Sequence, residues 1–142
     1  MANALRAAAY LAAGRIALRR IKPLDVLARN RETIALAGQS SRALTAAQTA
    51  RLCDDIAFFI NRMAARVPWR ADCLVQALAG QQWLAAAGIA SEIVVGTARH
   101  ADGSLASHAW LRQQDRIVLG GDIRTFQPML TPDEDAQAGR RF

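Results

Sequence analysis

The sequence holds two cysteines, Cys53 and Cys73, and two histidines, His100 and His108, so one thiol and one imidazole could be combined into a nucleophilic site. A cysteine attacks as thiolate, and the unpaired amides and dipole at a helix N-terminus stabilise that anion. Cys73 is placed for this: Asp72 before it is a good N-cap, and Leu74, Ala77, Leu78 and Leu84 follow at helical spacing. The base must sit on a rigid element with a third group behind it. His108 falls inside a predicted strand, residues 107–112, whereas His100 falls in a loop beside Asp102, so His108 is the favoured base. Two carboxylates compete for the third place. Asp122 ends the next strand after Gly120 and Gly121, where an antiparallel neighbour can bring it beside His108. Asp115 lies in the turn joining the two strands, where aspartate also serves turn chemistry alone. One Cys, one His and one Asp are a weak signal, and a buried cysteine, a structural histidine and a strand-end aspartate that never meet is the plainer reading.

The elements that must position these residues are legible in the chain. Residues 3–21 carry Leu5, Ala8, Ala9, Ala12 and Ile16 in helical rhythm beside Arg15, Arg19 and Arg20, a basic amphipathic helix. Pro23 forces a turn, a shorter helix is expected over 24–36, and a loop over 38–42. Thr45 and Gln48 have capping-box spacing, and Cys53, Ile56, Ile60, Met63 and Val67 mark the buried stripe of a long helix ending before Pro68. Cys53 lies on that stripe and reads as a small core residue. The helix begun at Cys73 ends at Gly88, which can take a left-handed C-cap conformation. The period then changes to that of strands at 92–97, 107–112 and 116–119, with a loop over 99–106 and a hairpin turn over 113–115. Trp83 and Trp110 are expected in the core or walls. Helices followed by a small antiparallel sheet define an α+β fold, read as one domain over 1–142. Within it are a basic helical region (1–44), a core (45–125) and a tail (126–142) that is polar from Thr131 onward.

Composition narrows the function classes. At 142 residues, 52% hydrophobic and 21% charged, the chain suits one folded, helix-rich domain. The net charge of +6 is concentrated near the N-terminus, in Arg6, Arg15, Arg19, Arg20, Arg29 and Arg31. Solvated arginines are its ordinary explanation, with an acidic partner or an anionic membrane surface as the sharper one. No nucleic-acid partner is expected, because only that charge would support one. Two cysteines in dissimilar contexts do not form a disulfide framework, which favours a reducing cytoplasm. Arg15 closely follows the apolar residues 7–14 without a cleavage site, so no signal peptide is expected, and no run approaches a membrane span of roughly 18 apolar residues. Paired metal-ligand spacings and Gly-rich phosphate loops are lacking, so no metal or cofactor is expected.

Three separated blocks carry a resemblance. Residues 68–78 (PWRADCLVQAL), Gly88-Ile89 with Ile93-Val94-Val95-Gly96, and Ser107-His108-Ala109-Trp110-Leu111 resemble the lasso-peptide B-protein peptidases of the transglutaminase-like superfamily, over roughly 45–125. The resemblance implies a papain/transglutaminase-like core with Cys73 as nucleophile, His108 as base and Asp122 to orient it, the last on a short, variable block that leaves Asp115 open. It implies a cysteine protease that removes the leader from a ribosomally made lasso-peptide precursor before a separate cyclase closes the ring. Because residues 1–67 read as helices without a winged-helix-like pattern, it further implies a stand-alone peptidase acting with a separate leader-recognition protein. Family cleavage sites carry threonine at the leader's penultimate position, so a small pocket for a β-branched side chain is expected. The Cys73 amide could donate to an oxyanion, and the indole N–H of Trp69 is a candidate second donor, with simple packing as its plainer role. The same triad would serve a transglutaminase or acyltransferase, and a non-catalytic adaptor using the basic helix is the remaining alternative.

Overall fold

The computed structural model describes residues 1–22, 25–39 and 43–130. Four helices, α1 (Ala2–Leu18), α2 (Asp25–Gly38), α3 (Ala46–Ala64) and α4 (Cys73–Ala86), precede four strands, β1 (Glu92–Arg99), β2 (Leu105–Gln113), β3 (Arg116–Leu119) and β4 (Gln127–Leu130). The strands form one antiparallel sheet in the order β3-β2-β1-β4. This is the expected α+β arrangement. The turn expected at Pro23, residues 40–42 of the expected loop, and the polar tail at 131–142 lie outside the described residues.

Helix α4 is the centre of the core. Val75, Ala77, Leu78, Ala79, Gly80, Gln81, Trp83 and Leu84 are all buried, so the helix is covered nearly all round by α1, α3 and β2. Its ends are set locally. Asp72 Oδ1 accepts from the Val75 amide, and after Ala86 the Gly88 amide donates to Ala85 O and the Ile89 amide to Leu84 O, a Schellman motif with Gly88 at φ 76°. On α3 the Thr45–Gln48 capping box is present, and Cys53, Ile56 and Ile60 are buried on one stripe. Met63 and Val67 pack at its margin, Val67 in the turn beyond the helix.

Three expectations are corrected. The apolar face expected on α1 is not the one that packs: Ala7, Leu11 and Gly14 are buried, while Leu5 and Ile16 are exposed. The helix is so rich in alanine that periodicity gives little contrast between its faces, and the close approach of α1 to α4 selects the small residues. Tyr10 stacks on Trp83 at 5.6 Å across that contact. Second, α2 runs to Gly38, past the expected end at Leu36. Third, a fourth strand lies at 127–130, where a tail was expected; among the described residues β4 pairs with β1 opposite Val95, Gly96 and Thr97, as an edge strand that tolerates Pro128.

The remaining edge of β1 is satisfied by a side chain. Asn30 of α2 is buried, donates through Nδ2 to Ile93 O at 3.0 Å, and accepts at Oδ1 from Ile93 N at 2.9 Å and Gln81 Nε2 at 2.7 Å. Its amide thus supplies at Ile93 the two hydrogen bonds that a neighbouring strand would make. Among the described residues, no helix is long and apolar enough to cross a membrane.

Candidate active site

Cys73 is the first residue of α4. The Asp72 carboxylate and carbonyl take the amides of Val75 and Gln76, and the first-turn amides of Cys73 and Leu74 have no intrahelical acceptor. These amides and the helix dipole point positive charge at the thiol. Gln76 ties the approach to the helix down, donating from Nε2 to Ala71 O at 2.9 Å.

His108 stands on β2, paired across the ladder with Gly96 of β1. Its Nε2 donates to Gly120 O at 2.7 Å, just beyond the end of β3. The rings of Phe126 and Trp110 flank it, with centroids 5.0 Å and 6.2 Å away. Asp122 does not take that hydrogen bond. Its exposed carboxylate accepts from Arg124 at the backbone amide, Nε and Nη2, and the guanidinium and amide hold it below the usual carboxylate range. Asp115 sits in the β2–β3 turn. His100 lies exposed in the loop between β1 and β2.

Cys73 and His108 share two cavities. A cleft of about 310 Å³ is lined by Asn61, Cys73, Gln76, His108, Gly120 and Gly121. A smaller, mostly apolar one of about 110 Å³ lies among Cys73, Leu74, Val95, Ser107, His108 and Ala109. The pair therefore borders a polar cleft and a small side-chain pocket at once. Asp115 and Asp122 line neither cavity, and neither does Trp69, whose Nε1 is buried without a partner among the described residues. Asn61 was not anticipated: on an exposed part of α3 it reads as an ordinary solvated residue, and only the packing of α3 beside α4 brings it to the cleft. A larger cavity, about 370 Å³, opens among Ile34, Ser91, Glu92, Arg112 and Asp115, but it has neither a cysteine nor a histidine, so the chemistry selects the smaller cleft.

The other thiol is sequestered. Burial pushes Cys53 up more than nearby Arg116 lowers it, with Asp54 adding to the rise. Near neutral pH, iodoacetamide is expected to alkylate Cys73 and spare Cys53 in the folded protein, as read by peptide mass mapping. Equal labelling of both would contradict this assignment of the two thiols.

A cysteine at a helix N-terminus and a strand histidine facing a common cleft, on helices followed by an antiparallel sheet, define a papain- or transglutaminase-type scaffold. Residues 4–131 match the family of the transglutaminase-like superfamily, and the chain belongs to it. Scaffolds of this superfamily are of the cysteine-protease and acyltransferase type. No curated protein and no solved structure matches the chain.

Proposed function

We propose that the protein is a cysteine peptidase that removes the leader from a lasso-peptide precursor, acting with a separate leader-recognition protein ahead of the cyclase. The observation that carries this reading is Cys73 at the N-terminus of α4 and His108 on β2 lining the same cleft. The Cys73 thiolate attacks the scissile carbonyl carbon, forming the C–S bond while His108 gives its proton to the leaving amine as the C–N bond breaks. Water then attacks the thioester, His108 takes its proton, and the thiol is regenerated as the leader acid departs. The Cys73 amide donates to the oxyanion; Asn61, across the cleft, is better exposed for the second donation than the buried Trp69 indole.

The pocket of about 110 Å³ beside the pair supports a small β-branched side chain at the leader's penultimate position, with Leu74, Val95 and Ala109 against its methyl and Ser107 near a hydroxyl. Both cysteines are free, in keeping with a reducing cytoplasm. Arg6 and Arg20 beside the exposed Leu5 and Ile16 of α1 offer a surface to the partner proteins or to a membrane.

Incubating the protein with a precursor and its recognition protein, and weighing the products, tests the reading. Scission into leader and core at the boundary is expected. A leader–amine conjugate would move the assignment to an acyltransferase, and unmodified but bound precursor would move it to an adaptor.

A further inference from the structure

The β1–β2 hairpin reaches beyond the helix that covers it. Alternate residues of a strand share a face, and so do partners across a ladder. The face that meets α4 carries Ile93 and Val95 of β1 beside Leu111 and Ala109 of β2, with Gly80 of α4 against the Leu111 side chain. The same face runs on through Thr97 and Arg99, opposite Ser107 and Leu105. Helix α4 begins only at Cys73, which borders Ser107 and Ala109. Burial follows that boundary: Leu111 and Ala109 are buried, Ser107 is exposed, and Leu105 is 66% exposed. A large aliphatic side chain thus stands open on the sheet, two residues past the wall of the small pocket.

Two cavities follow one another along this face. The first is the pocket of about 110 Å³ beside Cys73, with Val95, Ser107 and Ala109 in its wall. The second, about 340 Å³, lies among Thr97, Ala98, Arg99, Leu105, Thr125 and Gln127. Gln127 of β4 is the partner of Thr97, so three strands contribute to it. The step from Val95 to Thr97, or from Ser107 to Leu105, is two residues, about 6.6–6.8 Å. An extended peptide repeats its side chains on one face at the same spacing. A chain whose penultimate leader side chain fills the first cavity therefore sets the side chain two residues earlier over the second.

We propose that the second cavity is a subsite for the leader's fourth-from-last residue and selects an acidic side chain on an aliphatic stem, glutamate above all. Leu105 offers apolar surface to the stem. Among the described residues that line the cavity, Arg99 alone is charged. Its Nη1 donates to Gly103 O at 3.1 Å, which anchors the guanidinium at the hairpin loop and leaves it further N–H groups for a carboxylate. Asp102, in that loop, is engaged by the amide and hydroxyl of Ser104. A lysine or arginine of the substrate would meet like charge there. The subsite rests on reading the protein as a leader peptidase whose small pocket holds the penultimate residue.

The test gives the full chain, with its recognition protein, four precursors that keep threonine at the penultimate position and carry glutamate, glutamine, lysine or alanine two residues earlier. Mass spectrometry yields kcat and KM for each. For wild type, kcat/KM with glutamate is expected to exceed that with lysine by about 5-fold or more at low salt, the gap narrowing as salt is raised. Arg99→Glu, at an exposed position, is expected to reverse the order. Leu105→Ser is expected to raise KM about 3-fold for the glutamate and glutamine precursors with kcat kept, as loss of uniform binding does. Four precursors cut at the boundary within about 2-fold of one another, or an order that Arg99→Glu leaves unchanged, overturn the subsite while the peptidase stands. Scission of none of them by wild type removes the peptidase reading and the subsite with it.

Discussion

On the proposed reading, Cys73→Ala and His108→Ala are each expected to lower precursor cleavage by about four orders of magnitude or more, and the double variant is expected to be no slower than either alone. In that reading the first removes the sulfur that would form the thioester, the second the group that would activate it and protonate the leaving amine. Members of one catalytic unit fail together, so their losses do not add. Neither substitution threatens the fold. Asp72 still caps α4 when Cys73 is alanine, and Cys73 and His108 are only half-buried. Initial cleavage rates by quantitative mass spectrometry, with unfolding midpoints as a control, provide the check. Residual cleavage above about a hundredth of wild type in Cys73→Ala would place the nucleophile elsewhere.

Asn30→Ala lowers stability by roughly 2–5 kcal/mol, because it strands the buried amide and carbonyl of Ile93 and leaves Gln81 with only the longer contact to Ser91 O at 3.3 Å. Each orphaned group loses its hydration on folding without a partner in return, at about 1–3 kcal/mol apiece. Urea unfolding measures the loss, and a change below about 1 kcal/mol would mean that water replaces the side chain. The effect reaches the site. Ile93 begins the part of β1 that continues through Val95, a wall of the small pocket, to Gly96, the partner of His108. A frayed β1 should therefore lower cleavage before global unfolding sets in.

Much of this fold is legible because its rules are local. Thr45 with Gln48, Asp72 before Cys73, and Gly88 after three alanines each satisfy backbone groups within a few residues, so the start of α3 and both ends of α4 could be placed from residue types alone, whereas α3 stops at Ala64, short of the Val67 expected on its stripe. The change from helical to strand periodicity located β1, β2 and β3 for the same reason, and β3 falls where expected at 116–119. The alanine-rich α1 was legible as a helix but not in its orientation, since apolar residues surround it and the packing of α4 chose the face. Strand β4 gave little signal: four residues containing Pro128 gain their identity from the edge of β1, not from propensity.

The candidate site divides along the same line. By itself, the sequence determined which thiol sits at a helix N-terminus, which histidine lies on a strand, and that Cys53 belongs to the core, since caps and apolar periodicity act over a few neighbouring residues. Only the tertiary structure decided that Asn61 joins the cleft, that Asn30 finishes the edge of β1, and which group meets His108. There Gly120 closely approaches Trp110, ten residues away in the chain, an approach open only to a residue without a Cβ, and the positive φ of Gly120 and Gly121 turns the backbone out of the ladder. Periodicity placed the end of β3 at Leu119, but only packing between the residues that follow it and β2 brings the Gly120 carbonyl to 2.7 Å from His108 Nε2, a contact no local pattern encodes.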